Sequence, residues 1–174
     1  MDPKSQSEIF LAHSGRRTTD PIRPHSIMPW GTVIVYGLSA GFLGVAVMTV
    51  GEKVEQFFTG RPSSYIPAKT LASLLGVSPQ TDQQLWGLNM VMHYGQGAVA
   101  AVVRAVASCS FGMRGPFTDF MFMGVRLLID QTLENWTGVG ALPWTWPMNE
   151  QIVDLLHKGV FAFVTGYLVD RWIQ

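Results

Sequence analysis

The stretch WGTVIVYGLSAGFLGVAVMTVG, residues 30–51, decides the fold, because it runs for 22 residues without a charged side chain. At 1.5 Å per residue this makes about 33 Å of helix, the thickness of a bilayer's hydrocarbon core. It reads as the first membrane span. Gly37 and Gly41 form a GxxxG pair and Gly44 extends the small-residue stripe, so another helix backbone can approach closely. Packing within the chain is favoured over dimerisation.

The whole chain supports that start. Of 174 residues, 48% are hydrophobic and 14% charged, and the mean hydropathy of +0.22 is too high for an ordinary soluble domain. Twelve basic and twelve acidic side chains cancel, which argues against a nucleic-acid surface. The single cysteine, Cys109, excludes an internal disulfide and a cysteine-built metal site, and reads as a small packed hydrophobe. Residues 1–29, with Lys4, Arg16, Arg17 and Arg23, lack the apolar core of a signal peptide and read as a polar flexible tail. His13 and His25 in that tail carry no assigned role. Residues 30–174 read as a single integral membrane helical domain.

Outward from the first span, EKVEQFFTGRPSSYIPAKTLASLLGVSPQTDQQ (52–84) is too polar to cross a membrane. Pro67 suits the first turn of a short interfacial helix with Leu71, Leu74 and Leu75 on one side, ended by Gly76 and Pro79. Arg61 beside capping serines suits either a lipid phosphate or substrate carboxylate, or a capped connector with a snorkelling arginine. Leu85–Val103 is the second span, its apolar pattern continuing to Phe111. A turn at Gly112–Pro116 leads to FTDFMFMGVRLLIDQTLENW (117–136), a third span interrupted by Asp119, Arg126, Asp130 and Glu134. Ile152–Val169 is the fourth, with Asp154, His157 and Lys158 in its first turns. The expected fold is all-α, a four-transmembrane-helix bundle with a short interfacial helix between helices 1 and 2. Trp144 and Trp146, set among prolines, suit an ordered anchor at headgroup level.

With four spans both termini share a side. The tail, Arg104, Arg114 and Arg171 hold seven basic residues against Lys53, Arg61, Lys69 and Lys158 opposite, which favours cytosolic termini. In a eukaryotic host the endoplasmic reticulum is the expected membrane. The sequon at Asn135 lies too near the membrane for glycosylation.

LNMVMHYGQGAVAAVVRAV (88–106) carries ionisable groups through an apolar run. At about 100° per residue, Asn89, His93, Gln96, Ala100 and Arg104 fall in one sector of about 80°, as do Asp119, Arg126, Asp130 and Glu134 on the third span. An antiparallel hairpin about Phe111 and Gly112 sets Arg104 level with Asp119, His93 with Asp130 and Asn89 with Glu134. A lone charge at a span's centre costs about 2.5 to 3.5 kcal/mol, so these groups are expected to pair around a polar interior lined by His93, Gln96, Arg126, Asp130 and Glu134.

Two readings of that interior stand side by side. Buried ion pairs can simply fix helix register, or the stripe lines a ligand pocket or reaction site. In the second case His93 and the Asp130–Glu134 pair are the acid–base groups, one carboxyl sharing a proton with the other. Asn89, Gln96, Arg104, Asp119, Arg126, Arg61 and His157 then bind or orient. Axial haem ligation by His93 and His157 is a slighter alternative. No Gly-rich phosphate loop, nucleophile elbow or HExxH motif occurs, and neither a metal nor a resident cofactor is called for.

FTGRPSSYIPAKTLASLLG, the 88–106 stretch and LPWTWPMNEQIVDLLHKGVFAFVTGYLVD together resemble a family of small bacterial membrane proteins of unassigned activity. The resemblance covers roughly residues 30–170. It groups Arg61, Pro62, Ser63, Ser64 and Pro67 as one feature, and singles out His93, Gly95, Gly97, Asp154, Leu155 and His157 without giving them roles. In size and character the chain is also similar to small membrane proteins of fungal polyketide–nonribosomal peptide pathways. That similarity implies a lipophilic small-molecule ligand and a membrane-bound haem monooxygenase, or another membrane protein, as partner in ring-forming steps. The rival expectations are a noncatalytic scaffold subunit and a small proton-coupled transporter.

Overall fold

The computed structural model describes residues 28–173, and its helices follow the breakers in the sequence. Residues 1–27, which hold most of the polar tail with His13 and His25, and residue 174 lie outside the described residues. Helix α1 (Trp30–Thr59) continues two turns past the charge-free stretch. Glu52, Lys53, Glu55 and Gln56 are good helix formers, so polarity alone does not stop it. Gly60 does: at φ 70° it supplies the left-handed turn, and its N–H closes on the Gln56 carbonyl at 2.9 Å. The connector expected from Glu52 onward therefore starts eight residues later.

Helix α2 (Ile66–Leu75) carries Pro67 in its first turn and ends at Gly76. It buries Ala68, Thr70 and Ala72 and turns Leu74 and Leu75 outward. Helix α3 (Asp82–Phe111) is capped by Thr81, whose Oγ1 accepts from the Gln84 N–H at 3.2 Å. Helix α4 (Pro116–Trp136) starts on a proline after the Gly112–Gly115 turn. A 3-10 turn at Pro143–Thr145 then orders the tryptophan connector ahead of α5 (Met148–Trp172). Among the described residues there is no strand, and the chain is all-α.

Packing centres on α1, which lies against α3 on one side and α5 on the other, while α5 carries α4. Small residues set these spacings. A Cβ at Gly37 would fall 2.8 Å from Val102 Cα, and one at Gly41 would fall 2.6 Å from the Gly97 carbonyl. Gly44 is covered from α5 by Thr165 and Phe161. The glycine stripe is thus used within the chain. The hairpin expected between α3 and α4 needs correction, because these helices do not pack backbone to backbone. Long charged side chains stand between them, and α2 bridges the pair at one end.

Charge and apolar surface are distributed in reverse of a water-soluble bundle. Arg104, Asp119, Arg126, Asp130 and Lys158 are buried, whereas Val91 and Val99 of α3 are each 64% exposed and Phe117 of α4 is 75% exposed. By length and composition α1 and α5 are the two candidate membrane-spanning helices among the described residues.

Candidate functional site

The polar stripes of α3 and α4 form two separate clusters. At the Gly112 end, Arg104 is 2% exposed and inserts between α4 and α5. Its Nε and Nη2 donate to Asp119 Oδ1 at 3.0 and 2.8 Å, its Nη2 also donates to Asp170 Oδ1 at 2.9 Å, and its Nη1 donates to the Met113 carbonyl at 3.0 Å. Asp170 Oδ2 in turn accepts the Gly115 N–H at 2.7 Å. Arg104 and Asp119 meet as the antiparallel register requires. Neither lines the cavity described next, so their expected place among ligand-binding groups is corrected. The donors of Arg104 are spent on Asp119, Asp170 and a backbone carbonyl, and the cluster ties three helices together.

At the other end, a cavity of about 420 Å³ lies between α3, α4 and α5, with α2, the end of α1 and the 3-10 turn around it. His93, Gln96, Arg126, Asp130, Glu134, Arg61 and His157 all line it. Asp130 is the hub. Its Oδ1 accepts from Gln96 Nε2, while Arg126 Nε lies 3.4 Å and Lys158 Nζ 3.6 Å from its Oδ2. His93, expected opposite Asp130, points its Nε2 at Glu52, 3.9 Å away. The Arg126 guanidinium also lies over the Phe161 ring, 5.4 Å from its centroid.

Asn89 is a second correction. Its Oδ1 accepts the Ala68 N–H of α2 at 3.2 Å and is not turned to Glu134. Ala68 sits in the first turn of α2, where an N–H has no intrahelical acceptor, so a side chain from the neighbouring helix satisfies it. Arg61 lines the cavity mouth but is held by Glu55, Nη2 to Oε2 at 2.9 Å. That carboxylate keeps the Arg61 guanidinium above its ordinary pKa. Ser64 Oγ accepts the Ile66 N–H at 3.3 Å, but Tyr65 holds the N-cap position without a side-chain capping bond, so the expected serine cap is corrected.

Three buried polar atoms on cavity-lining residues have no hydrogen-bond partner: Arg126 Nη1, Glu134 Oε2 and Thr70 Oγ1. A buried donor or acceptor left unmade costs about 1–3 kcal/mol, so three around one cavity are a substantial local debt of polarity. Among the described residues no group of three or more His, Cys, Asp or Glu side chains is placed to hold a metal ion.

The sequence reading missed Glu52, Thr70, Trp146 and Asp154 in this lining, gave Lys158 no part in it, and missed Asp170 in the other cluster. Two of them had a visible signal. Glu52 continues the buried stripe of Val45 and Met48 by one turn, and Lys158 stands three residues before Phe161 and seven before Thr165 on the buried face of α5. No family model, curated protein or solved structure matches the chain.

Proposed function

We propose that the chain is a four-span integral membrane protein that binds a lipophilic small molecule in this cavity and orients it or moves a proton on it. The observation that carries the reading is the set of unpartnered buried atoms, Arg126 Nη1, Glu134 Oε2 and Thr70 Oγ1, around one cavity of an inside-out bundle. His93, Asp130 and Glu134 are the acid–base groups, and Gln96, Arg126, Arg61 and His157 orient. α3 and α4 complete the four spans because their charged positions face inward and their outer faces are apolar. A place in lipophilic-metabolite biosynthesis, beside a membrane-bound haem monooxygenase in ring-forming steps, rests on the resemblance described above.

A noncatalytic partner subunit is the second reading. It is favoured by Phe57 and Phe58, 83% and 80% exposed on the polar extension of α1, an apolar pair suited to another membrane protein. Purification from the native host in mild detergent, followed by mass spectrometry of what copurifies, separates the two. A bound lipophilic molecule, together with loss of turnover in His93→Ala and Asp130→Asn at unchanged fold, supports the pocket. A copurified membrane enzyme whose activity survives both substitutions but fails on Phe57→Ser/Phe58→Ser supports the partner subunit.

A further inference from the structure

The polar cavity has a neighbour. On the outer side of α4 and α5 a groove of about 690 Å³ runs between Asn135 and Pro143 at one end and Gly124 and Leu155 at the other. Leu127, Leu128 and Ile152 make its walls mostly apolar. Trp146 and Asp154 line both groove and cavity, so the two spaces share a wall. From Gly124 to Asn135 the groove follows α4 for about 16 Å at 1.5 Å per residue. One leaflet of a bilayer offers about 15 Å of hydrocarbon depth. The groove therefore fits an alkyl chain lying alongside those of one leaflet, with its upper end beside the polar cavity.

The cavity's charges define the head. Arg61, Arg126 and Lys158 are three permanent cations, with the titratable His93 and His157 beside them, against five carboxyl groups, Glu52, Asp130, Glu134, Glu150 and Asp154. Each cation already has a carboxylate: Arg61 has Glu55, Lys158 has Asp154 and Arg126 has Asp130. Glu134 Oε2 is buried without a donor, while Arg126 Nη1 lacks an acceptor and Thr70 Oγ1 lacks any partner. An ammonium group supplies the missing donor and offsets the carboxylate excess; a carboxylate head adds to that excess, and a hydroxyl alone leaves it.

We propose that cavity and groove form one bipartite site for a long-chain amphiphile whose head carries an ammonium group for Glu134 and an oxygen acceptor for Arg126 and Thr70. The proposal rests on reading the cavity as a binding site for a lipophilic small molecule, and it specifies that molecule's chemistry. The chain occupies the groove and the head passes Trp146 and Asp154 into the cavity.

The test is binding of sphingosine to the full chain in phosphatidylcholine nanodiscs, with stearyl alcohol and stearate as controls that share a long chain but lack the amine. Sphingosine should bind about tenfold tighter than either control, the scale of one charge-assisted hydrogen bond in a dry site. Glu134→Gln, which keeps the shape, should erase that preference and leave stearyl alcohol unchanged. Gly124→Trp places its side chain where a Cβ meets nothing within 4 Å, so it should fill the groove and weaken all three probes. A photoreactive group at the far end of the sphingosine chain gives a readout that does not depend on that variant folding, and should label Leu127, Leu128, Ile152 or Leu155. Repeating the titration in phosphatidylethanolamine distinguishes sources: loss of sphingosine binding assigns the head site to the bilayer's own amine lipid, and retention assigns it to a free amine. Equal affinity for the three probes, or labelling confined to the outer face of α1, overturns the inference while leaving the pocket reading intact. That reading fails separately, if the native protein carries no small molecule and neutralising His93 and Asp130 leaves turnover unchanged.

Discussion

The two ends of the gap between α3 and α4 hold the same kinds of side chain and treat them differently. At the Gly112 end one arginine meets two carboxylates, a carbonyl and, through Asp170, a backbone N–H. At the Thr81 end, Arg126, Asp130 and Glu134 surround a cavity, and two of the three keep a buried atom without a partner. Buried charge is therefore no guide to role by itself. What separates a lock from a site is whether the hydrogen-bonding capacity is used up.

The sharpest way to break this comparison is Arg104→Met. It strands Asp119 and Asp170 as uncompensated carboxylates, and removing one partner of a buried ion pair costs about 3–5 kcal/mol. The loss should appear as a collapse of the denaturation midpoint in detergent. The combined variant Arg104→Met/Asp119→Leu/Asp170→Asn should recover most of it, since the apolar replacements fill the space and the Asn amide oxygen still accepts the Gly115 N–H. Failure of that rescue would mean that the cluster serves more than packing.

Gly41→Ala comes next. Its methyl group meets the Gly97 carbonyl and the Ala98 backbone, neither of which can turn away. Overpacking of this kind costs about 1–3 kcal/mol, and an unchanged midpoint would show that the α1–α3 spacing is softer than the glycine stripe implies. Asn89→Ala should cost about 1 kcal/mol, the usual value of a lost helix-start acceptor. The loss should be local to α2, visible as faster amide exchange at Ala68 with α5 unaffected.

The smallest expected change in stability sharpens the contrast most. Glu134→Gln removes a carboxylate that gains little from its surroundings, so stability should stay within about 0.5 kcal/mol of the parent. Ligand binding should nevertheless fall. A large destabilisation would place Glu134 with the lock instead of the site.

Much of this was legible in the chain. Breakers at Gly76, Gly112 and Pro116 mark helix boundaries because they act locally, through backbone conformation, whereas the same signal at Gly60, which ends α1, is not used in the sequence reading. Helical periodicity put His93, Gln96, Arg126, Asp130 and Glu134 on inward faces, and the antiparallel register brought Arg104 to Asp119. What stayed hidden depends on partners distant in sequence. Asn89 answers an N–H of α2, a helix whose placement over α3 follows from Ala68, Thr70 and Ala72, not from its leucines. Asp170 reaches Arg104 across 66 positions, and Glu52 was set aside because polarity was mistaken for the end of a helix. The gap between α3 and α4 was invisible for a related reason. Sequence indicates which faces are polar, while the distance between two faces is set by a third element, here α5, which packs against both.

The Arg104 cluster also orders events in time. Ribosomes deliver α3 and α4 first, so Arg104 can find Asp119 early, yet Asp170 arrives only with the last turn of α5. Until then Arg104 and Asp119 balance each other in charge, but the guanidinium lacks its second carboxylate acceptor and α5 is not yet tied to the pair. A chain whose synthesis stops short of residue 170 leaves that latch open, with Arg104 short of one acceptor and the Gly115 N–H without its own.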